Sequence, residues 1–594
     1  MKREIRDNMV IEWDVEIKMD DGVILRADVF RPITEGKYPV ILSYGPYGKG
    51  LHFSVGYPAQ WEKLKQVPEI FQGTSGKYMN WETVDPEKWV PDGYVVVRVD
   101  SRGAGRSEGF LDPLSPRETK DLYNCIEWAA SQPWSNGRVG LAGISYYAIN
   151  QWMVASLKPP HLAAICPWEG AADFYRDMTY HGGIPSTAFW HVWYENQVVK
   201  VQHGVGKRGP VNPVNGELVT GPETLPEEEL ERRRVDIEKQ ILEHPLDDQF
   251  HRERSPDWRR VEVPLLSCGN WGGLGLHLRG NTEGFIMSAS NEKWLEIHGR
   301  EHWTEFYTNY GIELQKKFFD FYLKGIENGW KETPRVLLWI RHADGSYKLR
   351  AENEWPLART KWTKLYLDTE DLSIKGTKRE EETYVEYEAL GEGITFLSSP
   401  LQENTEITGP LAVKLFISST TIDADLFLTL RAFSPNMKEV FFNDYMDPHT
   451  PLSHGWLRAS HRKLNRVLSK EWRPFHAHDE VNYLTPNEVY ELEVELWPTS
   501  IYLPKGYRIG LTIRGKDFEY PGEPVKLGHF LLSGSGPFYH DKRPKDIYGG
   551  KVRIYGGGKK ASYLLLPIIP PRDPEEQKKL DEKIKWLARH MRNS

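Results

Sequence analysis

The residues Arg138-Val139-Gly140-Leu141-Ala142-Gly143-Ile144-Ser145-Tyr146-Tyr147-Ala148 run from an apolar stretch through Gly143-x-Ser145 directly into a helical pattern. A strand that turns sharply into a helix strains its central residue and lifts that hydroxyl to the end of a sheet, where it can attack a carbonyl. Ser145 is read as that nucleophile, the alternative being an ordinary helix-capping serine. The second glycine of the usual Gly-x-Ser-x-Gly is absent, with Tyr147 in its place. A serine hydroxyl needs a base to take its proton. Trp294-Leu295-Glu296-Ile297-His298-Gly299-Arg300-Glu301-His302 supplies a strand and then a loop with two histidines. His302, past the turn at Gly299, is the expected base, and His298, still on the strand, reads as structural. The same residues spell His-x-x-Glu-His, a zinc-peptidase pattern that requires a helix. Gly299 and the strand-like lead-in argue against one, so no metal is expected.

The elements that must position these groups alternate. The stretch Val15–Met19, the turn Asp20-Asp21-Gly22 and the apolar face Val23, Leu25, Ala27, Val29 make a hairpin. Tyr38–Ser43, Tyr94–Val99, Arg138–Ala142, Leu162–Trp168, Val263–Cys268 and Trp294–Ile297 read as buried strands. Ser115-Pro116-Arg117-Glu118 is a capping box opening a helix with Leu122, Cys125, Ile126 and Ala129 on one face. Alternation of this kind predicts an α/β fold with a parallel sheet. Gly103-Ala104-Gly105 with Gly109 has no helix behind it and reads as a turn rather than a dinucleotide loop. After Trp168 about ninety aromatic and then charged residues break the rhythm as an inserted cap, with a helix through Leu230, Ile237 and Ile241. Beyond Thr333 the apolar period is two, as in Leu411, Val413, Leu415, Ile417, which predicts a separate β-sandwich.

Composition limits the function classes. The chain has 594 residues and a net charge of 76 − 84 = −8 with no basic block, which excludes a phosphate-backbone binder, so no nucleic-acid partner is expected. No apolar run approaches a membrane span and residues 1–14 lack the apolar centre of a signal peptide, so no membrane partner is expected. The three cysteines, Cys125, Cys166 and Cys268, suit a reducing compartment, and the expected location is cytoplasmic.

In Asp100-Ser101-Arg102-Gly103-Ala104-Gly105-Arg106-Ser107-Glu108-Gly109, Gln132-Pro133-Trp134-Ser135-Asn136-Gly137, Gly143-Ile144-Ser145-Tyr146, Tyr44-Gly45-Pro46-Tyr47 and Gly455-Trp456-Leu457-Arg458-Ala459-Ser460, the chain resembles the CocE/NonD hydrolases, the family of cocaine esterase, α-amino-acid ester hydrolases and Xaa-Pro dipeptidyl-peptidases. The resemblance runs through nearly the whole chain. It implies an α/β-hydrolase fold with a helical cap and a C-terminal jelly roll, Ser145 as nucleophile and His302 as base. It also implies an oxyanion site formed by the Tyr47 hydroxyl and the backbone N–H of Tyr146, and no metal or organic cofactor. The family's acid, an aspartate directly or one residue after a tryptophan, is missing, because this chain reads Asn270-Trp271-Gly272-Gly273. Glu169, immediately after the strand ending at Trp168, is the first candidate to replace it and Asp173 the second. Glu301 and Asn270 are less suited, the first adjoining His302 in sequence and the second carrying no charge.

The expected organisation is hydrolase domain over 1–168 and 260–333, helical cap over 169–259, jelly roll over 334–573 and a terminal helix over 574–594. Trp168 and Trp190 are expected to line a substrate pocket, unless the cap aromatics only pack it onto the sheet. The expected function is hydrolysis of a small-molecule ester or amide through an acyl-enzyme, carboxylesterase-like. The alternatives are release of Xaa-Pro dipeptides, α-amino-acid ester hydrolysis, or a catalytically decayed protein that binds carbohydrate or a partner through its β-sandwich. Assembly into a homo-oligomer is left open.

Overall fold

The computed structural model describes residues 2–534, 536 and 542–592. The remaining positions of the expected domains, 1, 535, 537–541, 593 and 594, lie outside the described residues. Alternation and turn residues build an antiparallel edge of β1 (Lys2–Arg6), β2 (Met9–Lys18) and β3 (Ile24–Pro32). The apolar runs form the centre: β4 (Tyr38–Gly45), β5 (Val95–Asp100), β6 (Ser135–Ile144) and β7 (Leu162–Trp168). A short hairpin in the cap, β8 (Tyr180–His181) with β9 (Ile184–Pro185), stands apart. The sheet resumes with β10 (Leu265–Asn270), β11 (Lys293–His298), β12 (Val336–Arg341) and β13 (Tyr347–Glu352). Its order is β1-β2-β3-β5-β4-β6-β7-β10-β11-β12-β13. Pairing is parallel from β5 to β12 and antiparallel at both ends. The chain leaves β4 for β5 on one side and returns to β6 on the other. That reversal opens a crevice at the carboxyl ends of β4 and β6, where α/β sheets bind ligands.

Two insertions overhang those carboxyl ends. Between β4 and β5 lie the short helices α1 (Phe53–Gly56), α2 (Pro58–Leu64) and α3 (Pro86–Trp89). After β5, α4 (Pro116–Ala130) opens on the Ser115 hydroxyl, which accepts from the Glu118 N–H at 3.3 Å, and buries Leu122, Cys125, Ile126 and Ala129 against the strands. Helix α5 (Tyr146–Ser156) follows β6 without a loop. The cap carries α6 (Thr187–Trp193), α7 (Glu227–Arg232), α8 (Ile237–Glu243) and α9 (Gln249–Arg252). The single helix expected through Leu230 and Ile241 is split, because backbone groups of Arg233 and Val235 pair with Leu111 at 2.9 Å instead of continuing the helix. Three further helices follow: α10 (Leu278–Met287), which packs on β10 and β11, α11 (Thr304–Tyr307), and α12 (Asn309–Lys324), which packs on the central strands β4, β6 and β7. Gly325, at φ 68°, ends α12 in the left-handed conformation.

The C-terminal strands form a second sheet that closes on itself. Tyr563–Ile568 pairs with both Lys361–Asp368 and Thr405–Ser419, enclosing an apolar core of Leu411, Val413, Leu415, Leu428, Leu496 and Leu511. The hydrolase sheet runs to Glu352, past the expected boundary at 333, since period-two apolarity identifies a strand but not its sheet. The charged terminal segment is helical over Pro574–Glu582 and Lys585–Ala588.

Candidate active site

Ser145 sits at φ 61°, ψ −112°, the strained elbow that its sequence context predicts. The Ile144 N–H donates to the Glu82 carbonyl at 2.9 Å and the Ser145 N–H to the Trp168 carbonyl at 3.1 Å, so the elbow is held by the first insertion and by β7. Gly143, at φ 152°, has no room for a side chain, because a Cβ there would stand 2.4 Å from the Tyr147 Cβ. The clearance that a glycine at 147 would give is supplied from β4, where a Cβ on Gly45 would meet the Tyr147 ring at 2.6 Å.

The imidazole facing the nucleophile is His277, whose Nε2 is 3.3 Å from Ser145 Oγ. His302, the expected base, instead stacks on His277, with ring centroids 5.2 Å apart and planes 16° off parallel. Its Nε2 lies 2.7 Å from Glu82 Oε1. Its Nδ1 lies 3.4 Å from Glu169 Oε2, an ion-pair separation rather than a directed hydrogen bond. The displacement has a local cause. The loop after β11 is tied to the C-terminal domain, with the His302 N–H donating to the Tyr445 carbonyl at 2.5 Å and the Arg300 N–H to Asp444 Oδ1 at 2.7 Å. The loop after β10 meanwhile brings His277 to the start of α10.

Glu169 thus adjoins His302 and also stands 3.8 Å from His298 Nε2. Asp173 is committed elsewhere, capping the turn at Arg176 and pairing with its guanidinium at 2.9 Å. Asn270 donates to the Arg300 carbonyl at 2.8 Å and accepts from the Gly272 N–H at 2.9 Å, and Glu301 lies within reach of Asn443. His298 ends a strand and bonds Glu296 at 2.9 Å, so the His-x-x-Glu-His residues do not lie on a helix. Glu82, Ser145, Glu169, Arg300 and Tyr445 all have φ between 50° and 69°, a concentration of backbone strain around one site.

The charges follow from burial and contact. Burial alone would depress the His302 imidazole, but the Glu169 and Glu82 carboxylates outweigh it and raise it to about 9. Burial works against the Glu169 anion, yet the charges of His302 and His298 hold it down to about 2. In Glu82 burial wins over the pull of His302 and lifts the carboxyl to about 7. Burial, and then the charge on His302, push His277 well below its ordinary value, so it is a neutral ring able to accept a proton. With Nε2 as acceptor the proton resides on Nδ1, which has no hydrogen-bond partner among the described residues.

Tyr47 follows β4 and packs edge-on against Tyr146 and Tyr147. Its hydroxyl oxygen accepts from Trp193 Nε1 at 2.9 Å, which leaves its own proton to donate. Tyr146 is the first residue of α5, so its N–H has no acceptor within the helix. Its side chain is engaged otherwise, the hydroxyl accepting from the Leu114 N–H at 2.9 Å and bonding Glu118. Trp168 is fully buried beside His298 and Phe306 rather than facing the cap. Trp190 packs among Phe174, Phe189 and Trp193 and donates to the Met178 carbonyl at 2.9 Å. Trp193 is therefore the cap aromatic that reaches the site.

Sequence reasoning passed over His277 and Glu82. His277 follows Gly273-Leu274-Gly275-Leu276, a loop leading from a strand into a helix, and that place in the loop was its one available signal. Glu82 lies in an insertion with no motif.

Residues 21–304 match the family described as X-Pro dipeptidyl-peptidase (S15 family), and residues 328–565 match the X-Pro dipeptidyl-peptidase C-terminal non-catalytic domain. A crystal structure of a CocE/NonD family hydrolase from Staphylococcus aureus is 33% identical, with 95% of this chain and 94% of that one covered and a TM-score of 0.82. Cocaine esterase from Rhodococcus sp. (strain MB1 Bresler) is 25% identical, covering 95% of this chain and 99% of its own. A putative Xaa-Pro dipeptidyl-peptidase from Bacillus anthracis is 20% identical over 89% and 87% of the two chains. An elbow serine facing a buried imidazole, under a cap and beside a closed β domain, agrees with these likenesses, and the chain belongs to the CocE/NonD family of serine hydrolases.

Proposed function

We propose that Ser145 attacks the carbonyl of a small carboxylic ester or amide to form an acyl-enzyme, and that His277 is the group that first takes its proton. The observation that carries this is the 3.3 Å contact between Ser145 Oγ and a neutral, buried His277 Nε2 at a strained elbow. The Tyr47 hydroxyl and the Tyr146 N–H would meet the developing oxyanion, and two such donors act where charge appears only in the transition state. His277 would then return the proton to the leaving group, and water would repeat the sequence to release the acid. Esters are favoured over peptides with a free N-terminus, because Glu82 and Glu169 are both turned onto His302 and so are occupied with respect to a substrate ammonium. Three free cysteines support residence in a reducing compartment. Among the described residues, no helix is long and apolar enough to cross a membrane.

The test is an alkyl fluorophosphonate, which should modify Ser145 stoichiometrically and abolish hydrolysis of 4-nitrophenyl acetate. A folded protein that stays unlabelled favours the decayed, binding-protein alternative.

A further inference from the structure

Resting on that reading, we propose that Glu82 is the terminal proton acceptor of a two-imidazole relay, in which His302 gives its proton to Glu82 as His277 takes the proton of Ser145. The geometry is continuous. Ser145 Oγ is 3.3 Å from His277 Nε2, His277 stacks on His302 at 5.2 Å, and His302 Nε2 is 2.7 Å from Glu82 Oε1. His302 rests as an imidazolium between two carboxylates, so protonating His277 would place a second positive charge against its face. Two unit charges about 5 Å apart in a buried site repel strongly. Transfer of the His302 proton removes that repulsion at the moment it arises.

Atoms and charges balance. The Ser145 O–H bond breaks and an N–H bond forms on His277 Nε2, while the His302 Nε2–H bond breaks and an O–H bond forms on Glu82 Oε1. Before the step the positive charge is on His302 and a negative charge on Glu82. After it the positive charge is on His277, Glu82 is neutral, and the negative charge has passed to the oxyanion. Glu169 stays ionised throughout and anchors His302 through Nδ1.

The surroundings suit a group that must change charge. Glu82 is 2% exposed, and besides His302 the neighbouring Trp81 side chain bears on its carboxylate through a hydrogen bond. Glu82 acts on Tyr47 and Tyr57 from the first insertion, Tyr147 from α5, Tyr307 from α11 and Tyr445 from the C-terminal domain. His302 faces Glu169 beyond β7, His277 before α10 and the Tyr445 ring at 4.8 Å. The carboxyl, lifted to about 7, is matched to accepting a proton near neutrality. Because Glu82 acts through His302 rather than on substrate, it is a positioning residue for the proton.

The experiment compares wild type, Glu82→Gln and Glu82→Asp with 4-nitrophenyl acetate. Glutamine keeps an oxygen that accepts from His302 but cannot take a proton. The relay therefore expects Glu82→Gln to lower kcat by about 100-fold with little change in KM, the lower end of general acid–base contributions. Glu82→Asp should recover part of that loss. Rates in mixtures of light and heavy water should bow for wild type, two protons being in flight, and lie on a straight line for Glu82→Gln. Full activity of Glu82→Gln overturns the relay, and so does a straight line for wild type, a measurement that needs no variant to fold. Hydrolysis surviving in Ser145→Ala would remove the parent reading instead, whereas an inactive Ser145→Ala beside a fully active Glu82→Gln would remove only the relay.

Discussion

Glu82 and His302, 220 positions apart in the chain, hold each other at 2.7 Å in a pocket where both are almost wholly shielded from solvent. This contact points His302 Nε2 at a carboxylate, while the imidazole within reach of Ser145 Oγ is that of His277. The functional consequences divide along that line.

Replacing each histidine separates the two roles. His277→Ala should lower kcat by about 10⁶-fold, the scale on which a serine hydrolase loses its base. His302→Gln, which keeps a polar side chain against Glu82, should cost less, about 10²-fold. Equal losses in steady-state kinetics would mean that the two rings act as one unit.

Stability should fall as pH rises through the titration of His302. Its folded value of about 9 lies above the ordinary 6.5, so the folded state keeps a proton that the unfolded state has released. The stabilisation is fully present below about 6.5 and lost on the way to 9. Urea denaturation should show this decline in wild type and a smaller one in His302→Gln, with His298, at about 10, still contributing at the alkaline end. Glu169 titrates in the opposite sense. Held at about 2, it adds stability above its ordinary 4.5 that disappears as pH falls toward 2.

Tyr47→Phe should reduce kcat by about 10²-fold or more while leaving KM nearly unchanged, the signature of a donor used only in the transition state. Trp193→Phe, which removes the indole N–H that fixes the Tyr47 hydroxyl, should show a smaller loss of the same kind. Steady-state kinetics on both variants provide the check.

Asp444 couples the two halves of the protein. It accepts from the Arg300 N–H at 2.7 Å, from Arg341 Nη1 at 3.0 Å and from the Tyr347 hydroxyl. Both Asp444 and Arg341 are fully buried, so Asp444→Ala strands a charge and should destabilise the fold by about 3–5 kcal/mol. Calorimetry should show the lowered midpoint. Activity should fall below the folded fraction, because the Arg300–His302 loop loses its anchor.

The elbow, the parallel centre and the closed β domain were legible because each rests on local patterning. Leu162–Trp168 is a strand over the very residues whose apolar run predicted it, and α4 starts on its capping box. Glu169 could be located because it follows a strand end. The approach of His277 to Ser145 was not legible, since both histidines follow strands of the same sheet and the His302 backbone bonds Tyr445, 143 positions downstream, a contact that no local pattern announces. Glu82 was hidden for a related reason: its position is set by the Ile144 hydrogen bond to its carbonyl, a contact with no sequence periodicity.

The bond from His302 to the Tyr445 carbonyl also bears on biosynthesis. While the ribosome is still translating the segment before residue 445, the nucleophile, both imidazoles and both carboxylates already exist, yet the backbone partner that seats His302 does not. Seating of the His302 ring in its observed place is therefore expected to await the downstream half of the chain, and a protein shortened to end before residue 445 should lack it.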